Sequence, residues 1–292
     1  MTNAESGYIP VSGGKLYYEA AGAGEPLVFV HGFTLDTRMW DDQWDVFASK
    51  YRVVRYDVRG FGRSDLPSGG YANYIDLDAV VQHLGLQRPH VVGLSMGGFA
   101  TLHFGFRHPS RALSLVVAGC GYGAEKDQQA KFRAEVEVVA KALKEEGMAK
   151  FAEKYAYGPT RVQFENKDPR GFAQFKKELA EHSALGSANT QVGVQGQRPS
   201  LYDLLDQMRA LTLPTLILTG DEDWPCLAPS VLMKREIPSS ALAVMPNCGH
   251  TINIEDPDQF NRLVGDFIVQ VEAGRWPKRD PRAVSASITG MR

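Results

Sequence analysis

Short apolar runs alternate with amphipathic stretches along most of this chain. Residues 27–30 (LVFV), 53–56 (VVRY), 90–93 (HVVG), 113–117 (LSLVV), 215–219 (TLILT) and 242–245 (LAVM) are rich in aliphatic and β-branched side chains. Several are apolar at successive rather than alternate positions, which predicts strands buried on both faces, as in a parallel sheet covered by helices. Between them the spacing predicts helices over about 75–84, 96–107, 229–235 and 257–272. Strand and helix in alternation predict a doubly wound α/β sheet. Ser12-Gly13-Gly14 followed by residues 15–19 predicts an antiparallel hairpin at the sheet edge.

The rhythm breaks between about 121 and 199. A charged helical run at 124–146 is followed by 151–155 and 171–182, none of them joined to a strand-like stretch. This pattern predicts a helical lid inserted between two strands, at the carboxyl end of the sheet where open α/β folds bind ligands. The domain reading is a core of residues 1–120 and 200–273, a lid of 121–199, and a tail of 274–292. That tail is rich in Pro, Arg, Ser and Gly and is expected to be loosely ordered.

Charge narrows the partners. Lys plus Arg number 32 against 34 Asp plus Glu, a net charge of −2, which gives no pull toward nucleic acid or an anionic membrane. The expected partner is a small-molecule substrate, and a homo-oligomer is compatible with the composition. Residues 1–10 lack a basic patch followed by an apolar core, so no secretory signal is expected. No window approaches the roughly 20 apolar residues that cross a bilayer. Cys120, Cys226 and Cys248 are few, odd in number and far apart, which suits a reducing compartment and makes the cytoplasm the expected location.

Candidate chemistry starts at Gly93-Leu94-Ser95-Met96-Gly97-Gly98, between a predicted strand and a predicted helix. G-x-S-x-G in that context makes a sharp turn that lifts a serine hydroxyl clear of the sheet, and the flanking glycines let the backbone pass closely. The plainer reading is a tight turn with Ser95 as a helix cap. His31-Gly32-Phe33 closes an earlier strand and would bring the backbone N–H of Phe33 beside that of Met96, giving two donors for an oxyanion. The His31 side chain is expected only to pack or to hydrogen-bond. Of seven histidines, His250 lies in a loop after a strand, where an imidazole can reach Ser95 as general base. The loop at 220–225 offers Asp221, Glu222 and Asp223 as the acid that orients it. Asp223 is favoured because it lies farther round the turn. Asp221 is the fallback, since it can instead tie the loop to backbone N–H groups.

With HGF (31–33), YDVRGFGRSD (56–65), GLSMGG (93–98), HPSR (108–111), GDEDWP (220–225) and GHTINIEDP (249–257), the chain resembles the α/β-hydrolase superfamily over residues 8–272, the lid excepted. The likeness is strongest to its esterase, enol-lactonase, carbon–carbon hydrolase and cofactor-free perhydrolase group. It implies Ser95, Asp223 and His250 as triad and Phe33 and Met96 as oxyanion donors, with no catalytic role for Arg59 or Asp65. Serine at the elbow, where relatives that cleave carbon–halogen bonds or epoxides carry aspartate, excludes those chemistries. No residue spacing suits a metal, no phosphate-binding glycine loop is present, and no cofactor is expected.

The reaction expected is hydrolysis of a small carboxylic ester through an acyl-enzyme. Cleavage of a carbon–carbon bond or an enol-lactone, or perhydrolysis, would use the same triad. A ligand receptor with slow turnover is the reading from another class. Trp224, Trp40 and Tyr122 are expected to line the substrate pocket, beside Phe33 and Met96. The lid aromatics Phe132, Tyr155, Tyr157 and Phe164 are expected mainly to glue lid helices to the body. Arg198 is weighed as a contact for a substrate carboxylate, against the plainer reading of an exposed arginine.

Overall fold

Side chains that alternate along the central strands feed two separate cores, one on each face of the sheet. The computed structural model describes residues 4–67, 70–284 and 289. Among these, the strands are β1 (Glu5–Val11), β2 (Gly14–Ala21), β3 (Pro26–Val30), β4 (Arg52–Tyr56), β5 (His90–Leu94), β6 (Ser114–Ala118), β7 (Thr215–Gly220) and β8 (Ser240–Met245). They form one sheet in the order β1-β2-β4-β3-β5-β6-β7-β8. β1 and β2 pair antiparallel, β2 runs antiparallel to β4, and the rest is parallel. Every residue of β5, β6 and β7 is buried, as strands covered on both faces require.

The helices are α1 (Asp41–Ala48), α2 (Asn73–His83), α3 (Met96–Arg107), α4 (Gln129–Tyr155), α5 (Val162–Lys167), α6 (Pro169–Ala180), α7 (Ala184–Thr190), α8 (Leu205–Ala210), α9 (Trp224–Glu236), α10 (Ile252–Glu255) and α11 (Pro257–Glu272). Leu27 and Phe29 of β3 point to the face covered by α1 and α11, where Phe47, Phe260, Val264 and Phe267 meet them. Val28 and Val30 point to the other face, covered by α2, α3 and the insertion. The two-residue period of a strand thus divides the core.

Helices α4 to α8 lie between β6 and β7. α4 breaks at Gly147, which sits at φ +79°, a conformation open to glycine. An aromatic cluster of Phe164, Phe172 and Phe175 joins α5 to α6. Tyr155 stacks on Phe151 and meets Phe33 of the body edge-on, its ring centroid 6.1 Å away. Among the described residues no helix is long and apolar enough to cross a membrane.

The tail differs from expectation at its start. Trp276 packs edge-on against Phe267 and donates from Nε1 to the Ser239 carbonyl at 2.7 Å. Arg279 donates to the carbonyls of Pro238, Lys234 and Arg235. One apolar ring and one guanidinium suffice to dock a segment whose composition suggests a loose end. Residues 285–288 and 290–292, also expected to be loose, and residues 1–3 lie outside the described residues.

Candidate active site

Ser95 stands between the last residue of β5 and the first of α3 at φ +58° and ψ −115°. A non-glycine residue held there costs about 1–3 kcal/mol, so its surroundings must enforce it. They do so through close backbone contact. A Cβ added to Gly93 would lie 2.1 Å from the Gly97 carbonyl oxygen, and one on Gly97 would lie 2.0 Å from that of Val30. The Ser95 N–H donates to the Ala118 carbonyl on β6 at 2.8 Å, and its carbonyl accepts from Phe99 within α3. The turn is therefore pinned on both sides.

The His31-Gly32-Phe33 turn reaches the same point. A Cβ on Gly32 would lie 3.4 Å from the Ser95 Cβ. His31 is fully buried and donates from Nδ1 to the Gly32 carbonyl at 2.7 Å, while Nε2 accepts from the Val58 N–H at 2.8 Å. Burial lowers its pKa, which keeps the ring neutral in this tautomer. Thr34, at φ +59°, closes the turn by donating from Oγ1 to the Phe33 carbonyl. Met96, as first residue of α3, has a backbone N–H with no intrahelical partner.

His250 follows β8 and Asp223 follows β7. His250 Nδ1 and Asp223 Oδ2 are 2.8 Å apart. Asp223 is fully buried. Burial pushes its pKa up, but the charge and hydrogen bond of His250, the Cys226 thiol and Arg161 outweigh it, and the carboxyl ends below its ordinary range. Asp221 instead accepts from the Cys248 N–H through Oδ1 at 3.1 Å, tying one loop to the other. The imidazole lies over Gly119, the residue after Ala118: a Cβ there would be 3.4 Å from His250 Cε1. Asp223, Cys226 and His250 together offer three ligand-type atoms within 4.8 Å of one another. Burial and the neighbouring Asp223 hold the Cys226 thiol protonated, which makes it a poor metal ligand.

Glu255 carries a role that the sequence reading missed. Its Oε2 accepts from the Gly249 N–H at 2.7 Å, and its Oε1 accepts from the Thr251 N–H and hydroxyl at 3.0 and 3.1 Å. One carboxylate therefore grips the backbone on both sides of His250. Burial raises its pKa against the pull of these donors. The insertion completes the cradle, because the His250 N–H donates to the Thr160 carbonyl at 2.8 Å. Arg161, beside Thr160, is buried with its guanidinium over the Tyr155 ring at 4.5 Å.

Of the three expected pocket residues, Trp40 is placed elsewhere, while Trp224 and Tyr122 stand at the surface. Trp40 is fully buried in the core on the α1 and α11 face, stacked on Phe29 with ring centroids 4.7 Å apart. It cannot meet a ligand, because the short turn Thr37–Trp40 feeds its indole under the sheet. Trp224 is 73% exposed at the start of α9. Tyr122 is half-exposed, packs edge-on against Phe132, and contributes its carbonyl rather than its ring. A cavity of about 150 Å³ opens instead between α3, the residues leading into α2 and the return of the insertion. Met96, Phe99, His103, Tyr71, Tyr74 and Arg198 contribute to its wall. Arg59 and Asp65, expected to be structural, bind Asp76 and the Lys15 N–H.

Sequence comparison places these features among known proteins. The profile of the alpha/beta hydrolase family matches residues 27–263. The 2-hydroxy-6-oxo-2,4-heptadienoate hydrolase of Pseudomonas putida is 30% identical over 279 residues, covering 91% of this chain and 97% of that protein. The 3-oxoadipate enol-lactonase 1 of Acinetobacter baylyi is 25% identical, covering 84% and 89%. Among solved structures, a thermophilic esterase from Thermogutta terrifontis superposes with a TM-score of 0.81 at 26% identity, over 91% of this chain and 99% of that one. The three similar proteins carry three different names: a dienoate hydrolase, an enol-lactonase and an esterase.

Proposed function

Because the chain belongs to the alpha/beta hydrolase family, we propose that this hydrolase cleaves a small carboxylic ester with Ser95 as nucleophile, His250 as general base and Asp223 as the acid that orients it. His250 takes the Ser95 proton as the hydroxyl oxygen attacks the ester carbonyl. The N–H groups of Phe33 and Met96 stabilise the oxyanion, and losing one such donor typically costs about 3 kcal/mol. The tetrahedral intermediate expels the alcohol, which takes the proton from His250. Water, deprotonated by His250, then releases the acid from the acyl-enzyme.

The observation that supports this reading most strongly is the position of the imidazole. Nδ1 is held by a buried carboxylate at 2.8 Å, while the ring edge lies over Gly119, next to the residue that receives the Ser95 N–H. Asp223 supports the Nδ1–H tautomer, which leaves Nε2 free to take a proton. Three buried, unpaired cysteines support the cytoplasm as its location.

The test is turnover on aryl esters of increasing acyl length beside an enol-lactone and a dienoate of the ring-cleavage type. Preferred hydrolysis of an aryl ester with multiple turnovers is expected. Exclusive turnover of the dienoate or the lactone would move the substrate class while keeping the same residues.

A further inference from the structure

Lys167 and Cys248 bring an amine and a thiol together at the seam between the insertion and the body. Lys167 Nζ lies 3.2 Å from Cys248 Sγ, across 81 residues of chain. Lys167 is the last residue of α5, and Cys248 lies in the loop after β8, two residues before His250. The contact to sulfur is the hydrogen bond that Lys167 makes among the described residues. Its charge is also felt by Glu255, which grips the backbone on both sides of His250.

The two partners differ in freedom. Cys248 is buried, its N–H donates to Asp221 Oδ1 at 3.1 Å, and its carbonyl accepts from the Glu222 N–H at 2.9 Å. Backbone bonds thus present Sγ to α5 in a fixed position. Lys167 is exposed and hangs from the end of a six-residue helix, and helix ends open first. One partner is rigid, and the other has the reach to close on it.

Cys120 and Cys226 stand in contrast. Both are unpaired and fully buried, and burial drives both thiols far above their ordinary range. The cation they sense is Arg198, whose permanently charged guanidinium is no nucleophile. Burial raises the Cys248 thiol too, with help from Glu255 and Asp256, but Lys167 opposes the rise through its hydrogen bond and its charge. A thiol beside a cation is the one that oxidises first. Among the described residues, Cys248 is the cysteine with an amine in place to trap the product.

We propose that Lys167 and Cys248 form a covalent tie between the insertion and the loop that carries His250, made by oxidation with peroxide. The Cys248 sulfur attacks peroxide: the S–O bond forms, the O–O bond breaks, and water leaves a sulfenic acid. The Lys167 amine then attacks that sulfur. The S–N bond forms, the S–O bond breaks, and the hydroxyl departs as water with a proton from the amine. One thiol, one amine and one peroxide give one sulfenamide and two waters, and the sulfur supplies the two electrons that peroxide takes up. A thiol reductant reverses the tie.

The test treats the full-length chain with hydrogen peroxide, alkylates the remaining thiols and reads the digest by mass spectrometry. The main product at Cys248 is expected to be a Lys167–Cys248 linked peptide pair, with the summed mass less two hydrogens. Dithiothreitol should restore both peptides. Lys167→Arg keeps the charge at an exposed position but removes the amine, so it should give no linked pair and leave Cys248 with added oxygen. Cys248→Ser should also stay unlinked. Peroxide added to the urea-unfolded chain should give oxygen adducts and no link, because the pair is then apart. A wild-type Cys248 that stays unmodified or carries only added oxygen overturns the tie, as does equal linking in Lys167→Arg or in urea. No step involves Ser95, so the tie and the hydrolase reading fail separately.

Discussion

The elbow and the insertion meet at one site but are made of different material. Around Ser95 the decisive contacts are backbone against backbone: Gly93 against Gly97, Gly97 against Val30, Ser95 against Ala118. In the insertion they are side chain against side chain, with Phe164 on Phe172, Tyr155 on Phe151 and Arg198 on Phe99. Backbone contacts at 2.0–2.1 Å from a notional Cβ tolerate no substitution. Aromatic packing tolerates many. In the proposed reading, the chemistry is held by the part of the molecule least free to vary and the choice of substrate by the part most free.

The largest effect should come from the elbow. Ser95→Ala should lower kcat on an aryl ester by at least about four orders of magnitude, as loss of a triad nucleophile does elsewhere, with an unchanged melting temperature. A variant that keeps near wild-type turnover removes Ser95 from the chemistry. Asp223→Asn should cost about 10³- to 10⁴-fold, because the amide favours the wrong imidazole tautomer. Asp221→Asn, which only loosens the tie to Cys248, should cost less than tenfold. The reverse ranking would transfer the orienting role to Asp221.

Away from the chemistry, the two tryptophans sharpen the contrast. Trp40→Ala removes a fully buried ring and should destabilise by about 3–5 kcal/mol in urea unfolding. Trp224→Ala, exposed, should stay within about 0.5 kcal/mol. Similar losses for both would place Trp40 outside the core. Glu255→Gln keeps the shape but replaces one acceptor oxygen beside His250 with an amide. It should lower kcat about ten- to a hundredfold with little change in KM. Equal movement of kcat and melting temperature would mark Glu255 as structural only.

A more gradual effect concerns pH. Burial holds His90, His103 and His182 at a pKa of about 4, against roughly 6.5 in an unfolded chain. Between those values the unfolded chain binds protons that the fold refuses, so stability is full above pH 6.5 and is lost as pH falls toward 4. The slope should be about 1.4 kcal/mol per pH unit for each histidine. His103→Gln should flatten the measured slope by one such share. An unchanged slope would mean that His103 is protonated in the fold.

Much of the backbone half was legible in the sequence. The parallel strands fall within a residue or two of the expected runs, and α3 and α11 match at both ends. A β-branched run buried on both faces and a glycine-flanked serine leave signatures that local sequence carries. Less legible were α1, whose eight residues DDQWDVFA are too few to set a period apart, and the extent of β1. The pocket residues were least legible, because what lines a cavity depends on how distant helices pack. Trp40 follows the HGF turn closely in sequence, yet the short 3₁₀ turn Thr37–Trp40 carries it into the core on the α1 and α11 face of the sheet. Arg198 reads as one charge among many until the insertion is folded over Phe99. Glu255 is five residues past His250, and only the loop's curvature brings its carboxylate back to Gly249.

The most direct test is covalent. Treatment with a fluorophosphonate, which captures a serine activated by a neighbouring base, followed by intact-mass and peptide mass spectrometry, should give a single adduct on Ser95 in the wild-type chain. Ser95→Ala should give none, and His250→Ala should label far more slowly. A wild-type chain that stays unmodified, or an adduct carried by another residue, would contradict the account.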